Sequence, residues 1–272
     1  MYELEYVRKR KTRRFVLLGA GVSTIVVTSL SIVAFLGQRV GTFTVSLSKS
    51  DVSIALCEKS NFANPTSYLR IGAVSSFQEY TYGNLLGLGN EVLDNQKYDY
   101  TIGANKNPEG KITSLNFLKY TFFLKNTGSK PCQYDFALRI TDKKASTDGR
   151  YLDETLRVMF YENEGEDNHQ YTVYGKRSMI PHLDENGDPD YRSPISIDEV
   201  DSTVTNPFMG YAEMFETTDT ILSFKNSNFN IGEIKRYSVV AWLEGFRSNN
   251  YELAPEGANI QLGVKINAYE IQ

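Results

Sequence analysis

Two cysteines, two histidines and one tryptophan are all that this chain of 272 residues holds of the side chains that most often mark metal or redox centres. His169 and His182 both lie in polar connections, and no H-E-x-x-H pair places two histidines and a glutamate on one helix face, which excludes the common zinc peptidase arrangement. G-x-S-x-G, a Ser-Lys signature and a phosphate-cradling glycine loop are missing as well. No catalytic residue and no organic cofactor site is therefore assigned. Clustered Lys and Arg of the kind that phosphate backbones require are absent beyond the first residues, so nucleic acid is not an expected partner.

Charge is also missing from residues 15–36, and that absence organises the chain. Between Phe15 and Leu36 there is no Asp, Glu, Lys or Arg. As a helix this stretch would be about 33 Å long, enough to cross a bilayer core. Arg8, Lys9, Arg10, Lys11, Arg13 and Arg14 precede it, and such a cluster keeps its end of a first helix in the cytoplasm. The expectation is a single-pass protein of the cell membrane. Residues 1–14 form a basic cytoplasmic stub, residues 15–36 span the lipid, and residues 37–272 form an extracellular domain. The apolar core exceeds that of a secretory signal, which favours a permanent anchor; cleavage near Ala34 to Gly37 is the alternative.

Setting aside the stub's six basic and two acidic residues leaves 23 Lys and Arg against 31 Asp and Glu, a net charge of −8 beyond it. The pattern there is that of strands. Phe43, Val45 and Leu47 alternate with Thr and Ser, and Val52, Ile54 and Leu56 repeat the period. Leu118, Tyr120, Phe122 and Leu124 follow, then Tyr134, Phe136, Leu138 and Ile140, with the turn-rich Asn126–Pro131 between them predicting a hairpin. Further strands are expected at Leu156–Tyr161, Tyr171–Tyr174, Thr220–Phe224, Ile234–Leu243 and Ile260–Tyr269. The one good helix candidate outside the membrane is Pro207–Phe215, capped by Asn206. The fold class expected is mainly β: an N-terminal transmembrane helix followed by an antiparallel β-sandwich, Ig-like or jelly-roll-like, with long loops. Leu85–Pro108 and Met179–Thr205 are long, polar connections of the kind in which binding resides.

Few residues carry candidate chemistry. Asp184, Asn186, Asp188 and Asp190 put oxygen ligands at every second position around Gly187, like the first half of a calcium loop. Ile195 stands where the bidentate glutamate of such a loop is expected, so a solvated turn is the competing reading. Cys57 and Cys132 flank strands in a region where oxidation is allowed; a disulfide between them would stabilise the fold by about 4 kcal/mol in the chain-entropy model. Trp242, Glu244 and Gly245 close a strand and read as structural, the indole in a core or between sheets and the carboxylate capping a neighbouring loop.

Asn116–Gly128, Leu156–Tyr161, Tyr171–Tyr174 and Val240–Gly245 together resemble a group of uncharacterised membrane-anchored β-sandwich proteins of Gram-positive (Firmicutes-type) bacteria. The helix followed by Gly41–Ser48 is more distantly similar to the start of the TasA/camelysin group. The resemblance implies a sheet-rich exterior and, through the second group, assembly into matrix fibres. The expected function is a noncatalytic cell-surface protein that binds an envelope or protein partner, or a copy of itself. The alternatives are an extracytoplasmic hydrolase and a secreted fibre-forming subunit released by signal cleavage.

Overall fold

A computed structural model describes residues 39–48, 52–71, 74–75, 80–87, 117–162, 171–197, 209–245, 255 and 257–271. The chain divides into two compact units, Met1–Gly37 and Gln38–Gln272. The expected stub and membrane span fall in the first and lie outside the described residues, as does His169. Among the described residues no helix is long and apolar enough to cross a membrane.

The second unit is mainly β. Its first strands are β1 (Arg39–Leu47), β2 (Ile54–Cys57), β3 (Tyr68–Ile71) and β4 (Val74–Ser75). A short helix, α1 (Tyr82–Gly87), precedes the long β5 (Phe117–Asn126) and β6 (Cys132–Lys144). A 3-10 turn at Leu152–Glu154 leads into β7 (Leu156–Glu162) and β8 (Tyr171–Gly175). Five short pieces come next: β9 (His182–Leu183), β10 (Pro189–Asp190), β11 (Pro194–Ser196), β12 (Met209–Tyr211) and β13 (Glu213–Met214). The last three are long again, β14 (Thr220–Phe229), β15 (Ile234–Leu243) and β16 (Asn259–Glu270).

These strands build two six-stranded sheets. One runs β14-β6-β16-β1-β3, with β4 also pairing β1; the other runs β13-β8-β7-β15-β5-β2. The alternation of the sequence decides which side chains meet. Phe43 of β1 lies 5.2 Å from Tyr120 of β5, Phe136 of β6 lies 5.3 Å from Phe160 of β7 and 5.0 Å from Tyr237 of β15. The two sheets therefore face one another across a single aromatic layer, into which Leu138, Leu262, Val264, Val239 and Ala241 also point. The Tyr134 and Tyr237 hydroxyls are hydrogen-bonded inside it. Burial is what a polar tip in such a layer requires a partner for.

Three sequence expectations are corrected. The arrangement is not wholly antiparallel, because β1 runs parallel to β16 and β13 parallel to β8. Strands so far apart in the chain are free of the hairpin constraint that forces antiparallel neighbours. Second, β5 and β6 do not form a hairpin. They belong to opposite sheets, and the turn between them is an arch: Asn126 Nδ2 donates to Phe229 O and Lys130 O, while Gly232 N donates to Asn126 O. Third, the described part of the expected helix, residues 209–215, is extended, with strands at Met209–Tyr211 and Glu213–Met214. Its backbone pairs with β11 and β8, and those ladder bonds outweigh the cap signal before it.

Candidate binding surfaces

Trp242 does not lie between the sheets. Inward positions of β15 are Val239, Ala241 and Leu243, so Val240, Trp242 and Glu244 face outward, where the chain builds a second apolar layer with Tyr82, Leu85, Met159, Val173, Ile195 and Ala212. Helix α1 and the β11–β12 pair thus cover this face of the sheet. Tyr82 stacks toward the indole with ring centroids 6.3 Å apart.

Glu244 holds that cover down. Its Oε2 accepts from Trp242 Nε1 at 2.8 Å and its Oε1 from Ser196 N at 3.1 Å, tying β15 to β11. Burial pushes its carboxyl up to about 7, against the opposing pull of Arg157, the indole and backbone N–H groups. Arg157 Nε and Nη2 both donate to Pro194 O, at 3.1 and 3.0 Å, and Nη1 donates to Glu154 O and Leu156 O. Gly245 N donates to Tyr80 O at 3.0 Å and Tyr80 N to Leu243 O at 2.9 Å, which fixes the entry to α1. The contacts of Glu244 Oε1, of Arg157 Nε and Nη2 and of the Tyr80 backbone each hold one segment against another. An acid–base role needs a reachable proton, and this carboxyl is sealed beneath protein.

Arg157 had no sequence signal beyond being a charged residue within a strand, and Asp153 had none. The Asp153 carboxylate is fully buried, with Lys143 Nζ at 3.1 Å on one oxygen and Lys176 Nζ at 3.2 Å on the other. It staples the end of β6 to the segment after β8.

The residues with calcium-like spacing lie in the β9–β10 hairpin, where Pro189 pairs with Leu183 and Asp190 with His182. Gly187 takes φ +84°, which a glycine adopts without strain. Asp184 Oδ1 accepts from the Asn186 and Asp188 N–H groups at 2.8 and 2.9 Å, so that oxygen closes the turn. Asp190 Oδ2 is 2.7 Å from Arg192 Nη2 and 3.1 Å from His182 Nε2, and hydrogen bonds from Arg192 lower its carboxyl to about 2. Among the described residues no three His, Cys, Asp or Glu side chains are grouped to hold a metal ion.

His182 is stacked flat on Tyr211, ring centroids 3.5 Å apart, and the Arg192 guanidinium lies 5.7 Å from the same ring. The hairpin is thereby fastened to β12. Its turn presents the polar Glu185, Asn186 and Asp188, while at its start Met179, Ile180 and Leu183 are 81, 72 and 71% exposed. Single exposed apolar residues are ordinary on any surface, but three within five positions, two just before β9 and one on it, are a local concentration.

Cys57 and Cys132 are free thiols, with no disulfide between them. They sit on β2 and β6, in opposite sheets, and both are buried. Cys57 Sγ is turned to the Ala63 carbonyl at 3.3 Å. Burial raises the Cys132 thiol, which disfavours the thiolate needed for reactivity.

Compared with protein-family models, with curated proteins and with solved structures, the chain matches none.

Proposed function

We propose that this protein is a noncatalytic module of the cell surface. Residues 15–36 anchor it in the membrane with the stub in the cytoplasm, and residues 37–272 form an external β-sandwich, of Ig-like or jelly-roll-like kind, that binds a protein or envelope partner. The observation that carries the reading is the exposed apolar run at the start of the β9–β10 hairpin: Met179 and Ile180 stand in a turn that the Ser178 hydroxyl closes, Ser178 N donates to Tyr191 O, and Leu183 follows on β9 beside the His182–Tyr211 stack. A held, exposed apolar segment costs little conformational entropy on binding, which is the property of a recognition surface. The hydrolase reading lacks such support, because the polar side chains of the outer layer are engaged in fastening segments and among the described residues no hydroxyl or thiol is hydrogen-bonded to His182. Protease shaving of intact cells tests the placement. Cleavage within residues 37–272 by added protease, with residues 1–14 retained in the membrane fraction, is the expected result; a chain that stays uncut until the cells are lysed contradicts it.

A further inference from the structure

The outer face of the first sheet carries a groove of about 390 Å³ across β1, β16 and β6. It lies on the polar side of all three strands: Phe43, Val45, Leu138, Ile140, Leu262 and Val264 point into the core, which leaves Thr44, Ser46, Arg139, Thr141 and Lys265 around the groove.

Its floor is Gly263. A Cβ there would lie 2.8 Å from Thr141 Cγ2 and 2.9 Å from Thr44 Oγ1, so no side chain fits and the floor stays low. The strands lose register at the same level. β1 slips against β16 between Val40 and Phe43, β16 against β6 between Gln261 and Leu262, and β14 against β6 between Thr220 and Leu222. In the second of these Thr141 is the residue left without a partner, since Asp142 pairs with Gln261 and Ile140 with Leu262. Bulges twist a strand and re-aim its side chains, and they are over-represented beside functional sites.

The charge is local and opposite to the background. Beyond the stub the chain is net acidic, with 31 Asp and Glu against 23 Lys and Arg. Within the groove Arg139 and Lys265 are exposed and, among the described residues, have no ion-pair partner. The one acid on its lining, Asp219, is already 3.4 Å from Lys143 Nζ. Hydroxyls of Thr44, Ser46 and Thr141 flank the two cations.

We infer that this groove binds a hydroxyl-rich chain bearing an oxyanion, phosphate or carboxylate. The guanidinium of Arg139 offers a planar fork to two anion oxygens, Lys265 adds a compact charge, and the threonine and serine hydroxyls match the hydroxyls of the chain. The site is separate from the surface formed by Met179, Ile180 and Leu183 and does not depend on it.

The test uses the full chain in neutral detergent micelles with three immobilised probes: a glycerol-phosphate oligomer, a galacturonate oligomer and a neutral dextran oligomer. Binding to one or both anionic probes, weakened by salt, with dextran silent, is expected, and the probe that binds identifies the oxyanion. Arg139→Gln with Lys265→Gln should weaken that binding roughly tenfold or more at unchanged melting temperature, as loss of two charge-assisted contacts implies. The triple change of Met179, Ile180 and Leu183 to Ser should leave it intact. Binding to dextran as strong as to the anions, binding unmoved by the double Gln change, or no binding to any probe overturns the inference.

Discussion

The indole N–H of Trp242 donates to Glu244 Oε2 at 2.8 Å, two residues along one strand and on the same outward face. That pair, with Ser196 N on the other carboxylate oxygen, is the fastening between the second sheet and the segments that cover it.

A pH dependence follows from the burial of this carboxyl. Burial holds the Glu244 proton in the folded protein up to about 7, against an ordinary value of 4.5. Between those values the unfolded chain binds fewer protons than the folded one, so the unfolding free energy falls as pH rises through the window. At about 1.4 kcal/mol per pH unit the total is on the order of 3 kcal/mol. Glu244→Gln mimics the protonated acid and should flatten this slope in urea titrations between pH 4.5 and 7. Wild-type stability that rises relative to the Gln variant over the same window would show the opposite sign.

The Tyr134–Tyr237 hydroxyl pair bridges the two sheets inside the aromatic layer, and burial raises both phenols. Removing the Tyr134 hydroxyl strands that of Tyr237, so Tyr134→Phe should cost about 1–2 kcal/mol, and Tyr237→Phe less because Tyr134 keeps Asn226. Replacing both leaves no orphan, and the double variant should be destabilised by less than the two single changes together. Chemical denaturation of the four proteins measures the coupling; strict additivity would mean that the bond contributes nothing.

Chelation should leave the melting temperature unchanged. Asp184 Oδ1 already closes the turn by accepting two backbone N–H groups, so the turn needs no ion, and a cation would have to compete with Arg192 for Asp190. Thermal melts with added calcium and with a chelator check this. A rise of several degrees with calcium would mean that the hairpin opens to place its carboxylates around the ion.

The long strands were legible because alternation survives in them: Phe43 and Val45, Tyr134 to Ile140, and Ile260 to Ala268 all face the core as their spacing requires. Which strands would be neighbours was not legible. β5 is buried on both faces, so its pattern gave no sheet assignment, and Asn126 acts by bonds to Phe229 and Lys130 that local turn chemistry does not announce. The five short pieces from β9 to β13 are too brief for a period to emerge, and their order comes from contacts with β8, with one another and with Trp242. The same holds for Arg157 and Asp153. In a strand or turn read alone a charged residue signals solvent, and only the layer folded over them turns these two into buried fasteners. The calcium spacing was legible for the opposite reason: every second residue of a turn repeats, whether its oxygens bind an ion or close their own hairpin.

Site-directed photo-crosslinking in intact cells, from a benzophenone side chain placed at Ile180, tests the proposed binding role most directly. A discrete adduct of higher mass from position 180, absent from the exposed control position 228 and lost when Met179 and Leu183 are changed to Ser, is the predicted result. Equal labelling from both positions, or none from Ile180, would contradict a recognition role for the hairpin.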